Sequence, residues 1–116
     1  ALIVSDRPAH AAGLFTTNAV AAAPVRLGRE RLADGRLRAI AVNTGFANAC
    51  TGATGMENAR AMSRLVSRAL GIPDEETLVC STGVIGAPLD PTPIVSALPE
   101  ARKRLAAPGW PVAAAA

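Results

Sequence analysis

The stretch from Gly55 to Leu70 is the feature that most limits what this chain can fold into. Met56, Ala59, Met62, Val66, Ala69 and Leu70 recur at helical spacing, with Glu57, Arg60, Arg64 and Arg68 on the opposite face. Thr54 with Glu57 three residues later has the form of a capping box, and Gly71 followed by Pro73 ends the run. An amphipathic helix of this kind is a layer that must cover something. Its arginines form the wet face. The candidates for the covered layer flank it: the β-like runs Leu37–Val42 before it and Thr77–Cys80 after it.

Three further segments read as strands. Ala1–Ser5 is a buried-type run closed by Asp6-Arg7-Pro8, and Ala11–Thr17 is close enough to pair with it as a hairpin. Ala23–Leu27 is a third, with Pro24 keeping its start at an edge. Gly28–Ala33 is expected to form a helical turn, with Asp34-Gly35 turning the chain into Leu37–Val42. Towards the end, Asp90 or Thr92 starts a helix containing Ile94, Val95 and Leu98. Pro99 then kinks it or opens another helix through Leu105. Gly109-Trp110-Pro111 is expected to break the chain before an alanine tail, Pro111–Ala116. Strands cluster first and then alternate with helices, which is the pattern of a layered α/β fold with mixed sheets flanked by helices.

At 116 residues the chain has room for one core, and only 3% of it is aromatic, so Ala, Val, Leu and Ile must fill that core. It begins in a strand-like run without Met and stops in helix formers without a cap. Residues 1–116 therefore read as a single incomplete α/β unit of something longer. The net charge of +3 is spread, with Arg26, Arg29, Arg31, Arg36 and Arg38 interleaved with Glu30 and Asp34. A nucleic-acid surface needs a basic stripe with stacking aromatics, and that pattern is missing. No apolar run reaches membrane-spanning length and no basic leader precedes one, so a reduced, cytoplasmic protein is expected. Cys50 and Cys80 belong to no CxxC pair, which leaves no support for a metal site; both are expected to act as small hydrophobes.

The chemistry is concentrated in two polar stretches. Asn43–Gly52 (NTGFANACTG) follows one β-like run and Cys80–Gly86 (CSTGVIG) follows the other. Neither contains His, Asp, Glu or Lys, so neither holds an ordinary side-chain acid or base. Backbone N–H groups, hydroxyls and amides are what they offer, the equipment for holding an oxyanion. The second stretch lacks the lysine of a phosphate loop and the pattern of a nucleophile elbow. His10, the only histidine, lies in a surface-like Pro-Ala-His-Ala stretch, and a pair with Ser81 would need the fold to bring them together. Thr82 and Gly83 supply a hydroxyl and an N–H where a strand ends, which suits a tetrahedral oxyanion. The plain structural alternative is a tight turn that uses Gly83 for positive φ and Thr82 as a cap. Asn48 and Thr51 are expected to hold the first stretch together through side-chain bonds.

Both stretches resemble signatures of the ornithine acetyltransferase (glutamate N-acetyltransferase) family. Phe15-Thr16-Thr17-Asn18 followed by Ala22-Ala23-Pro24-Val25 is similar to its early segment, and the three motifs occur in family order up to about Leu98. Thr44 and Phe46 depart from the family pattern, which more often has Ser and a small or polar residue there. The resemblance implies the fold shared with self-processing aminopeptidases. It implies a precursor that cuts itself into α and β chains, with a new N-terminal threonine on the β chain as nucleophile. That threonine carries an acetyl group from N2-acetylornithine to glutamate, without cofactor or metal, in an expected heterotetramer of two α and two β chains. Thr82 and Gly83 fall on the family's oxyanion-hole pair. The nucleophile and most substrate contacts, including a Thr-Thr-Asp stretch, would lie beyond these residues, so this chain alone is expected to be inert. Two other readings stand beside this one: a related self-processing aminopeptidase, and a non-catalytic module binding an anion or small molecule.

Overall fold

The computed structural model describes residues 1–106 and 109–115. Its centre is a three-stranded mixed sheet in the order β1 (Leu2–His10), β2 (Arg36–Phe46), β3 (Thr77–Val84). β1 runs antiparallel to β2, and β2 runs parallel to β3. The helices are α1 (Ala23–Arg31), α2 (Gly52–Leu70), α3 (Thr92–Lys103) and α4 (Trp110–Ala115), with one 3-10 turn, Asp74–Glu76. Mixed sheet and flanking helices agree with the expected α/β class.

The long amphipathic helix starts three residues earlier than its sequence pattern suggests, at Gly52. Thr51 occupies the N-cap position, so Thr54 lies inside the helix and the expected Thr54–Glu57 capping box does not form. Gly71 ends α2 in the left-handed conformation, at φ 69°. The helix buries Ala59, Met62 and Val66 against Ala41 and Val79 of the sheet, joined by Leu27, Leu89 and Leu98 from other elements. Burying such side chains is worth about 1.5–3 kcal/mol each.

Two expected strands are something else. Ala23–Leu27 is the first half of α1, where Pro24 occupies an early helical position that needs no N–H donor. Gly28–Ala33 thus continues a helix instead of opening one. Ala11–Thr17 has no strand partner among the described residues. It is held from the side: Arg29 donates to the Thr16 carbonyl and lies over the Phe15 ring, 5.9 Å from its centroid. Phe15 also fills the space above Gly28, where a Cβ would come within 2.9 Å of the ring. The partner of the first strand is therefore β2 and not Ala11–Thr17. β1 itself runs past Ser5 to His10, crossing Asp6-Arg7-Pro8 through a register shift between Val4 and Ala9. Arg38 stitches that irregularity by donating to the carbonyls of Ser5 and Asp6.

Arg31 pairs with Asp74 at 2.5 Å, and the Ser63 hydroxyl donates to the other oxygen of the same carboxylate, tying α1, α2 and the 3-10 turn together. α3 begins at Thr92, whose N–H is accepted by the Asp90 carboxylate; that backbone bond holds the Asp90 pKa below its ordinary value. Pro99 stays inside the helix, which ends at Lys103 before Leu105. Trp110–Ala115 is helical where a break was expected at Gly109-Trp110-Pro111, and Ala116 of the alanine tail lies outside the described residues.

Candidate active site

Parallel pairing carries the two polar stretches to the same place. Each is expected to be a loop, yet both begin as strand: Asn43 stands opposite Ser81, Thr44 opposite Thr82, Gly45 opposite Gly83 and Phe46 opposite Val84. The cross-links continue beyond the ladder. Ala47 N–H donates to the Val84 carbonyl at 2.9 Å, and Gly86 N–H donates to the Ala49 carbonyl at 2.8 Å. The ends of the parallel strands, where ligands gather in open α/β sheets, are thus one continuous edge in which polar residues alternate with the exposed Phe46, Val84 and Ile85.

Asn48 anchors the first stretch. Its side chain is fully buried at φ 50°, a left-handed conformation that asparagine tolerates. Nδ2 donates to the Gly55 carbonyl at 2.8 Å and Oδ1 accepts the Thr51 hydroxyl at 2.8 Å, while its own carbonyl accepts the Ala23 N–H. One asparagine therefore joins the starts of α1 and α2 to the end of β2. Gly55 is small for this reason, since a Cβ there would fall onto Thr51 and lie 2.7 Å from Asn48 Oδ1. The roles expected for Asn48 and Thr51 agree with these bonds.

Thr82 and Gly83 lie at the exposed end of β3. The Thr82 hydroxyl has no hydrogen-bond partner among the described residues, so its proton is free for an incoming oxygen. Gly83 has φ 126°, a region closed to side chains, and a Cβ on it would land on the carbonyl of Gly45 and 2.8 Å from the Phe46 nitrogen. Gly45 mirrors it at φ 121°. The turn alternative is correct about positive φ at Gly83, but Thr82 caps nothing.

Ser81 does not meet His10. Its hydroxyl donates to Asn43 Oδ1 at 2.5 Å, and His10 is exposed on β1 opposite Arg36. The pairing of Asn43 with Ser81 had no signal in the sequence beyond both residues being polar. Beside the site, a cleft of about 400 Å³ is lined by Phe15, Pro24, Ile40, Leu78, Cys80 and Ser81, mostly apolar. No described helix is long and apolar enough to cross a membrane.

The two cysteines differ from expectation and from each other. Cys50 is exposed at φ 58° and is not a core hydrophobe, because the turn that buries Asn48 directs it outward. Cys80 is half-buried, and burial pushes its thiol pKa up, which disfavours the thiolate. Replacing either with Ala is expected to change any rate that depends on this edge by less than about threefold, roughly 0.7 kcal/mol of barrier. A larger loss in a variant with unchanged melting would place that cysteine in the site.

Comparison with known proteins gives a consistent result. A model of the ArgJ family matches residues 1–116. The arginine biosynthesis bifunctional protein ArgJ of Geobacter sulfurreducens is 57% identical over 89 residues, covering 77% of this chain and 23% of that protein. Its namesake from Thermosynechococcus vestitus is 49% identical over 117 residues, covering 100% of this chain and 28% of its own length. A crystal structure of ornithine acetyltransferase complexed with ornithine, from Mycobacterium tuberculosis, superposes with a TM-score of 0.80 at 38% identity. That match covers 85% of this chain and 54% of the other. The ArgJ structure from Bacillus halodurans gives 0.80 at 39% identity, covering 84% and 51%. The chain spans about a quarter of the length of the curated relatives it matches.

Proposed function

From the premise that this chain belongs to the ArgJ family, we propose that it is part of the α chain of a self-processing acetyltransferase. The enzyme moves an acetyl group from N2-acetylornithine to glutamate through an acetyl-threonine intermediate. Residues 1–116 form one incomplete unit of it, completed by the rest of the α chain and by a β chain from the same precursor. The assembly is a cytoplasmic heterotetramer of two α and two β chains.

This chain's own task is the oxyanion hole. When a threonine hydroxyl attacks the acetyl carbonyl, the carbonyl oxygen becomes an oxyanion, and two donors must already point at that place. The Thr82 hydroxyl and the Gly83 N–H are those donors. Each such donor lowers the barrier by roughly 3–4 kcal/mol because it acts most strongly on the developing charge. The observation that carries the reading is the free Thr82 hydroxyl beside Gly83 at the joint end of two parallel strands. With no acid or base in either stretch, nothing here takes a proton from the nucleophile; that falls to the threonine's own α-amine or a nearby water.

Two measurements test this. Intact mass of the protein purified from its source is expected to give two chains, and the pair is expected to transfer acetyl from N2-acetylornithine to glutamate. A single uncut chain, or peptide hydrolysis without acetyl transfer, would overturn the assignment; the second result would favour the aminopeptidase reading.

A further inference from the structure

Among the described residues the Asn43 side chain bonds to both polar stretches at their start. It receives the Ser81 hydroxyl on Oδ1 at 2.5 Å and donates from Nδ2 to the Phe46 carbonyl at 3.0 Å. The orientation of the amide follows from chemistry: a carbonyl only accepts, so Nδ2 must face Phe46, and Oδ1 is then left for a donor. The first bond spans β2 and β3. The second closes a short loop over Gly45, across which Gly83 makes its close approach. Ser81 immediately precedes Thr82, and Phe46 immediately follows Gly45. The two bonds therefore bracket the residues that set the direction of the Thr82 hydroxyl and the Gly83 N–H.

We propose that Asn43, with Ser81 as its partner, is a positioning residue for the oxyanion donors. Asn43 touches no reacting atom; it fixes the spacing and twist of the two glycines so that Thr82 and Gly83 converge on one point. Glycines at φ 121° and 126° have wide conformational freedom, and nothing in their own side chains holds them there. A clamp that cross-links the strands two residues before them supplies what they lack. The inference rests on Thr82 and Gly83 being the oxyanion donors.

The test uses the full-length, self-processed enzyme, with rates normalised to cleaved protein. Misplacing catalytic groups by about 1 Å costs on the order of 10²-fold in rate. Asn43→Ala and Ser81→Ala are therefore expected to lower kcat by about 10- to 100-fold, with KM for N2-acetylornithine within about threefold. Ser81→Thr keeps the hydroxyl and is expected to restore most of the rate. A merely structural role would not produce the further result: adding Thr82→Ala to Ser81→Ala should cost far less than Thr82→Ala alone, because the donor is already misaimed. Should Asn43→Ala fail to fold, the Ser81 variants carry the test by themselves. Normal kcat in Ser81→Ala, or fully additive losses, overturns the positioning role while leaving the oxyanion hole intact. A Thr82→Ala enzyme with normal kcat overturns both.

Discussion

Thr82→Ala in the processed enzyme is expected to lower kcat by roughly 10²-fold while leaving KM for N2-acetylornithine nearly unchanged. The hydroxyl is exposed, bonded to nothing among the described residues, and placed beside a glycine whose conformation excludes any side chain. Its removal leaves no cavity and breaks no internal bond, so stability should change by less than about 0.5 kcal/mol. The loss is then assignable to the transition state. Thr82→Ser keeps the donor and should recover much of the rate. Gly83→Ala is a poorer probe, because the added methyl meets the Gly45 backbone and forces the two strands apart. Its damage would appear in folding as much as in turnover. On the proposed function self-cleavage also passes through an oxyanion, so rates must be referred to cleaved protein. Normal kcat in a fully processed Thr82→Ala enzyme would leave Thr82 without a catalytic role.

Produced alone, residues 1–116 are expected to lack a cooperative, monomeric melting transition and to aggregate. The sheet has only three strands, and both β1 and β3 are edge strands among the described residues. Edges of this kind recruit other chains. Large apolar side chains are also in water: Leu14, Val84, Ile85 and Trp110 are all more than half exposed. The buried core, by contrast, is made mostly of Ala, Val and Leu. Calorimetry and sedimentation of the isolated chain decide the matter; a single reversible transition from a monodisperse monomer would show that the unit folds without the rest of the enzyme.

What could be read directly from residues was local. α2, β2 and β3 each carry their period within one continuous run, and each is found within a few residues of its expected place. α1 was not legible because Ala-Pro-Val-Arg-Leu carries a strand-like valine and a proline that fits an edge as well as a helix start. Only packing of Leu27 into the core decides between them. Ala11–Thr17 has strand composition but joins neither open edge of the sheet among the described residues, and β1 pairs with β2 instead. At the site, Thr82 and Gly83 were legible as possible donors from their residue types and from family resemblance. Their meeting with Thr44 and Gly45 was not, because register between parallel strands is set by the intervening helix and not by either motif.

The bond between Asn43 and Ser81 joins residues 38 positions apart, with the whole of α2 between them. A nascent or loosely collapsed chain therefore contains both motifs but no site. Closing so long a loop is entropically costly, and the contact needs β2 and β3 side by side in register. On the proposed reading, the oxyanion hole that serves acetyl transfer also serves the cut that creates the nucleophile. The topology then works as a proofreading step in biogenesis: a precursor that has not folded cannot divide itself, and only molecules that have passed this inspection become enzyme.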